Sequence, residues 1–520
     1  MSDFLRKYPF HPWLVALYPV TALLAHNVTQ VQASAALRPA VLSFALATVL
    51  FVILWLFTRS AGRAALYTSL LLVLFFSYGN VSRFLGDLSG YALFGRHRFL
   101  VPPCLGLLAL GIWGARRIPD PSPATQTINL IALVLLALPF LSLLNYYRAQ
   151  AADTHRVRAA GLSDPLEYSG PGTPPDVYFI VLDTYTRGDA LLRDMDFDNS
   201  EFLTSLEDMG FYVAKCSRPN YDYTHPSLTS TLNMDYLPAL RKELVSQGLA
   251  DSRALWTLLL NSKTRRLFHE MGYRTVAFQT TFSWTEDKDA DVYLAPRKDS
   301  ERIPYLLPFE AMLLQGTAAV ILTDSNAGFS TRAAQVVNFP YNYHAQTELY
   351  ILDTLPKLAK MPGPKFVFVH ILIPHVPYVF EPDGSVRANP DYFSAPGMHG
   401  VTWQFERDGY VDSVQFINGR ILPILKTLIE ESVTPPIIVM EGDHGWGGKN
   451  RTQNLSTYYL RGRNTQDLYP GISPVNSFRV IFDRYFGADY DLLPDESYTG
   501  FRLEGEDGKL VSETAPECLR

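Results

Sequence analysis

The sequence predicts two structural classes in one chain: an N-terminal α-helical membrane domain of five spans, then a C-terminal α/β sandwich with a largely parallel sheet. Three observations predict it. Five apolar stretches crowd the first 150 residues. After residue 176, short β-branched runs alternate with helical stretches. Three of those runs end in Asp or His.

The apolar stretches lie at 13–30, 39–58, 64–82, 99–115 and 127–146. At 1.5 Å per residue, about 20 helical residues cross the ~30 Å hydrocarbon core. A cleaved signal peptide accounts for the first stretch but not for a series of five. A buried soluble bundle is disfavoured because no polar face recurs within the stretches. Lys and Arg in the short loops set the orientation. With the N-terminus inside, the cytoplasmic side holds Arg6, Lys7, Arg59, Arg63, Arg116 and Arg117, against Arg38, Arg83, Arg96 and Arg98 opposite. An odd number of spans then puts the remainder of the chain outside the cytoplasm. The stretches carry almost no ionisable group, His26 excepted, which disfavours a transporter.

Composition separates the same two parts. Residues 1–150 hold 11 Lys/Arg and 3 Asp/Glu, whereas residues 151–520 hold 34 and 48. The acidic remainder argues against nucleic acid as a partner. Hydrophobic residues at 48% exclude a disordered chain, and three cysteines exclude a disulfide scaffold.

In the second part, strands are predicted at 176–183, 211–216, 273–280, 365–372 and 435–443. Helices are predicted at 200–210, 252–271, 342–360 and 407–432. The runs at 365–372 and 435–443 are continuously apolar, as in strands covered on both faces. In such sheets, sites form beyond the carboxyl ends of the strands. Asp183 follows the first run, His370 and His375 close the 365–372 run, and Asp443-His444 follows the last. An Asp after one strand is often only the next helix's N-cap. Three such endings converge on a metal-capable site. Glycines around Asp443-His444 (MEGDHGWGG) let two adjacent side chains face one ion. Thr224 lies in NYDYTHPSLTS. Its bland reading is a helix-capping cluster with Ser227, Thr229, Ser230 and Thr231. Its chemical reading is a nucleophile that needs a metal or base to lower its pKa.

Five segments in order, DVYFIVLDTYTR, NYDYTHPSLTS, FVFVHILIPHVPYVF, GYVDSVQFINGRILPIL and VMEGDHGWGG, resemble the alkaline phosphatase/sulfatase superfamily. The likeness is to its membrane-anchored branch of lipoteichoic acid synthases and phosphoethanolamine transferases. The resemblance implies Asp183, Thr224, Asp443 and His444 as metal ligands. It implies Thr224 as the nucleophile, and His375 and His370 as substrate- or leaving-group-contacting histidines. It also implies a layout of membrane domain 1–146, juxtamembrane linker 147–175, sulfatase-like catalytic domain 176–485 and C-terminal tail 486–520. The expected reaction is metal-dependent phosphotransfer or hydrolysis on a phosphate-containing lipid or envelope glycan, with membrane lipids as partners. The alternatives are a sulfatase-like ester hydrolase and a non-catalytic envelope scaffold of the same fold.

The chain departs from sulfatases at two places. Thr224 and Leu228 stand where they carry Cys or Ser and an Arg, and Thr184 follows Asp183 where they carry a second Asp. Formylglycine cannot form from Thr, and the smaller ligand set points to one ion. Oxygen-rich ligands with one imidazole suit Mn2+ or Mg2+, and Zn2+ also fits. Cys216 and Cys518 are expected outside the cytoplasm, either bonded to each other or as free thiols. Lys449 and Arg451 follow the Asp-His turn as a phosphate-facing pair or a solvated loop. The run 304–322 is too polar at its edges for a sixth span and reads as a core helix or an apolar surface near the bilayer.

Overall fold

A computed structural model of the chain describes residues 2–28, 31–87, 92–159, 166–170, 172–246, 252–282, 284–296, 307–323, 339–387, 402–447, 451–462, 465–500 and 509–510. It divides into two compact units, Met1–Ala149 with Arg302–Pro340, and Gln150–Glu301 with Tyr341–Arg520.

The first unit contains α1 (Ser2–Lys7), α2 (His11–His26), α3 (Leu37–Thr58), α4 (Ala61–Asp87), α5 (His97–Arg117) and α6 (Ser122–Ala159). Among the described residues, four helices are long and apolar enough to cross a membrane: 33–58, 61–86, 97–117 and 122–152. The expectation of five such helices is therefore corrected. The first stretch forms α2, whose 16 residues extend only about 24 Å. Polar contacts knit its start to its neighbours. The His11 N–H donates to Asn129 Oδ1 at 2.8 Å, and His11 Nδ1 lies 2.6 Å from Ser69 Oγ. The juxtamembrane helix expected after residue 147 is the continuation of α6.

The second unit is a sheet between two helical layers. Its strands are β1 (Val177–Leu182), β2 (Tyr212–Val213), β3 (Arg274–Phe278), β4 (Val292–Leu294), β5 (Lys365–Ile371), β6 (Ile437–Glu441) and β7 (Ser456–Tyr459). Their order is β2-β7-β6-β1-β5-β3-β4. Pairing is parallel for β4-β3, β3-β5, β5-β1 and β1-β6, and antiparallel around β7. A separate ribbon pairs β8 (Tyr498–Thr499) with β9 (Lys509–Leu510).

The unit's helices are α7 (Gly188–Met195), α8 (Ser200–Met209), α9 (Thr224–Asn233), α10 (Leu237–Ser246), α11 (Ser252–Leu260) and α12 (Lys263–Glu270). They continue with α14 (Phe339–Thr354), α15 (Trp403–Glu431) and α16 (Pro474–Phe486); the intervening α13 (Pro308–Gln315) belongs to the first unit. Successive residues of β1 face opposite layers, as a period of two requires. Tyr178, Ile180 and Leu182 pack with α7, α8, α14 and α15. Val177, Phe179 and Val181 pack with α9, α12 and α16. Burial on both faces explains why β1 and the stretches 366–369 of β5 and 437–440 of β6 are continuously apolar. At the opposite edge from the candidate site, a buried Lys365–Asp176 ion pair ties β5 to β1.

Two boundaries differ from expectation. The strand expected at 211–216 is limited to the two residues of β2. The helix expected at 252–271 is two, because the Ser262 hydroxyl caps α12 by accepting from the Arg265 N–H at 3.3 Å.

Candidate active site

Parallel pairing of β5, β1 and β6 carries their carboxyl ends to one edge of the sheet. Asp183 follows β1, His370 ends β5 with His375 in the loop beyond, and Asp443-His444 follows β6. Candidate ligand atoms of Asp183, Asp443 and His444 all lie within 4.8 Å of one another. The three side chains are buried, as are Thr224 and His370. Thr224 is the first residue of α9, and its Oγ1 stands 3.4 Å from His444 Nε2. Residues far apart in sequence thus meet in one pocket.

The backbone locks this meeting in place. Thr184 adopts a left-handed conformation, φ 62°, which a β-branched residue seldom tolerates. The turn aims its N–H at Asp443 Oδ1, 2.8 Å away, while its carbonyl accepts from the Tyr410 hydroxyl at 2.8 Å. Gly442 allows the close passage of β6's end beside β1, because a Cβ there would lie 2.3 Å from the Tyr185 carbonyl oxygen. Ser227 Oγ donates to the Asp443 carbonyl at 2.6 Å and joins α9 to the same turn.

The expected capping cluster does not form. Tyr223 is the N-cap of α9 and makes no side-chain cap bond. Besides the Ser227 brace, Ser230 Oγ donates to the Asp235 carbonyl and Thr231 Oγ1 to the Ser227 carbonyl. Thr224 is therefore left facing the pocket at a helix N-terminus. There the first N–H groups have no intrahelical acceptor, and the dipole favours negative charge.

Hydrogen bonding assigns the imidazole tautomers. His444 Nδ1 lies 2.9 Å from the Gly445 carbonyl oxygen, which can only accept. Nδ1 then carries a proton, and Nε2 is the nitrogen turned toward Thr224 and Asp443. His375 Nδ1 likewise contacts the Val376 carbonyl, and its ring meets Phe282 edge-on at 6.0 Å. His370 Nε2 lies 3.4 Å from Asp183 Oδ2, and its Nδ1 is 3.1 Å from Thr285 Oγ1.

The charge balance is uneven. Burial raises the Asp183 carboxyl's pKa, but His375, His370 and His444 outweigh it and hold it down at about 2. Neither Asp183 oxygen nor Asp443 Oδ2 has a hydrogen-bond partner. Buried carboxylates without donors are costly. A divalent cation between them and His444 Nε2 removes that cost. Two carboxylates and one imidazole fit Mn2+, Mg2+ or Zn2+. The donor set thus suits the implied ion.

The structure adds residues that the sequence did not single out. His344 and Glu348 lie one turn apart on α14, both buried, with Nδ1 3.9 Å from Oε1. Glu348 Oε2 accepts from the Leu372 N–H at 3.0 Å, at the start of the loop to His375. His344 Nδ1 lies 3.2 Å from Thr281 Oγ1, beside Phe282. The i, i+4 His/Glu spacing was visible, but nothing local marked that helix face as buried. Arg451 lies with its guanidinium 4.5 Å above the Tyr223 ring and donates to the Asp222 carbonyl at 3.0 Å. Lys449 lies outside the described residues. Cys216 is disulfide-bonded and Cys104 is free, while Cys518 lies outside the described residues.

No family model and no curated protein matches this sequence. Solved structures similar to the chain include the C-terminal periplasmic domain of EcEptC from Escherichia coli. That match has 13% identity and a TM-score of 0.43, covering 69% of this chain and 98% of that one. The integral membrane lipooligosaccharide phosphoethanolamine transferase A from Neisseria meningitidis matches at 12% identity and a TM-score of 0.38, over 93% and 95% of the two chains. A putative sulfatase, yidJ from Bacteroides fragilis, matches at 13% identity and a TM-score of 0.34, over 62% and 75%.

Proposed function

We propose that this chain is a membrane-anchored, metal-dependent phosphotransferase of the alkaline phosphatase superfamily. Thr224 is its nucleophile, and a phosphate-bearing lipid or envelope glycan is its substrate. The observation that carries the reading is the approach of Thr224 Oγ1 to within 3.4 Å of His444 Nε2, within the group Asp183, Asp443 and His444. The α/β unit acts outside the cytoplasm, which requires the 16-residue α2 to cross as a short fifth span beside the four longer helices.

A bound divalent ion supplies positive charge that favours the Thr224 alkoxide and offsets charge on the phosphoryl oxygens. Asp183, Asp443 and His444 hold that ion. Thr224 Oγ attacks phosphorus after losing its proton to solvent, the bond to the leaving oxygen breaks, and phosphothreonine forms. The N-terminal amides of α9 face the phosphoryl oxygens. His375 donates the proton taken up by the leaving oxygen. His370 orients Asp183 from beside it. An acceptor hydroxyl then gives its proton to His375 and attacks the phosphothreonine, the bond to Thr224 Oγ breaks, and Thr224 regains its proton from solvent. Thr at the nucleophile position disfavours sulfate-ester hydrolysis by formylglycine.

The test is intact-mass analysis of the full chain in detergent, with Mn2+ and candidate phospholipids, against Thr224→Ala. An adduct on Thr224 that the variant lacks is expected. Equal adducts on both proteins remove Thr224 as nucleophile. Product formation that depends on an added acceptor separates transfer from hydrolysis.

A further inference from the structure

The chain passes between its two units three times, at residues 149–150, 301–302 and 340–341. A single connector after the last span would pass once. The extra passages exist because 302–340, far along the sequence, belong to the N-terminal unit.

The contacts inside that unit are specific. Phe309 on α13 is 2% exposed and packs with Val20, Leu24, Ala36 and Leu143. Glu310, 5% exposed, receives Arg38 through both carboxylate oxygens, with Arg38 Nε at 2.5 Å from Oε1. Its Oε2 also accepts from the Leu307 N–H at 2.8 Å, so one carboxylate both caps α13 and binds the start of α3. The Gly316 carbonyl accepts from the N–H groups of Gly79 and Asn80 on α4, at 3.0 and 3.3 Å. A Cβ on Gly79 would lie 2.1 Å from the Gln315 carbonyl oxygen, so backbone meets backbone only because residue 79 has no side chain. Apolar burial, an ion pair whose carboxylate is buried and backbone hydrogen bonds together make a built interface rather than a loop lying on helices.

We propose that residues 307–323 are a second, non-covalent anchor. They dock on α2, α3 and α4, and hold the α/β unit's chain to the N-terminal helices independently of the 150–175 connector. The partner is this chain's own helical unit. The proposal does not depend on the chemistry at Thr224.

The test inserts a sequence-specific protease site between Gly170 and Pro175 of the full chain, reconstituted in phosphatidylcholine vesicles. These lipids carry no net charge to attract the acidic fragment. After cleavage and a salt wash, the vesicles are sedimented. The C-terminal fragment is expected in the pellet. Glu310→Arg and Gly79→Leu should each move it to the supernatant as a soluble monomer, and adding Arg38→Glu to Glu310→Arg should return it to the pellet. That rescue separates loss of docking from misfolding. Release of the unsubstituted fragment overturns the proposal. So does retention of the fragment in both Glu310→Arg and Gly79→Leu.

Discussion

Asp183 is buried, ionised and surrounded by three imidazoles, yet His370 Nε2 approaches its Oδ2 only to 3.4 Å. A group so placed should be matched by a cation. Asp183→Asn or Asp443→Asn should weaken Mn2+ binding by more than the roughly 10–100-fold typical of losing a supporting residue, as read by isothermal titration. Thr224→Ala should abolish turnover by about 10^3-fold or more while retaining most metal affinity. Equal metal affinity in the Asp variants would place the ion elsewhere.

Glu348 gives a pH prediction at the same scale. Burial pushes its carboxyl up to about 8, against an ordinary value of 4.5, although the Leu372 N–H opposes the shift. The folded chain then keeps a proton that the unfolded chain releases. The stability this group contributes is complete below about 4.5 and is lost as pH rises through about 8. Glu348→Gln keeps the acceptor for Leu372 and removes the titration. Its thermal midpoint should rise relative to the parent from pH 5 to pH 8, then level off. A constant difference across that range would contradict the assignment. Asp183, Asp443 and His444 were legible in the sequence because each follows an apolar strand signal, whereas Thr224 was singled out as a nucleophile only through the family resemblance. His344 and Glu348 were not, because their importance comes from long-range burial rather than from any local pattern.

At the scale of elements, the turn after β6 bears most directly on the site. Gly442→Ala should force the Asp443-His444 turn away from Tyr185 and lower metal affinity, with little loss of helical circular dichroism. Unchanged affinity would show that the close passage does not set the ligands. In the sheet itself, Phe179 lies between Phe368 and Phe478, at 5.8 and 5.2 Å. Phe179→Ala should cost about 3–5 kcal/mol in denaturant unfolding. The apolar runs of β1, β5 and β6 announced themselves. β7 did not, because Ser456, Thr457, Tyr458 and Tyr459 look polar. Their burial works because Thr457 Oγ1 donates to the Met440 carbonyl at 3.0 Å and Ser456 Oγ to the Tyr458 hydroxyl at 3.0 Å. The break between α11 and α12 was available in principle from Ser262, but a lone Ser is a weak signal inside an apolar pattern.

For the whole molecule, a bound ion should stabilise the α/β unit by linkage, about 2.7 kcal/mol at a hundred times its Kd. Chelator should therefore lower its melting temperature, Mn2+ should restore it, and Asp443→Asn should respond to neither. A chelator-insensitive midpoint in the parent protein would argue against a resident ion. Two-part architecture was legible from hydropathy and charge alone. The membership of 302–340 in the N-terminal unit was not, since Glu310 and Gly316 gain meaning only beside Arg38 and Gly79.

The central strand β1 also fixes a timetable for biosynthesis. Its hydrogen-bonding neighbours are Lys365–Ile371 and Ile437–Glu441, so a nascent polypeptide must emerge past the first before one flank of β1 is covered and past the second before both are. Long-range pairing of this kind folds late and slowly. Because Asp443 and His444 arrive with the same final stretch, a partly made chain has no complete nest for the ion. A chain arrested before residue 444 therefore lacks part of the candidate ligand set.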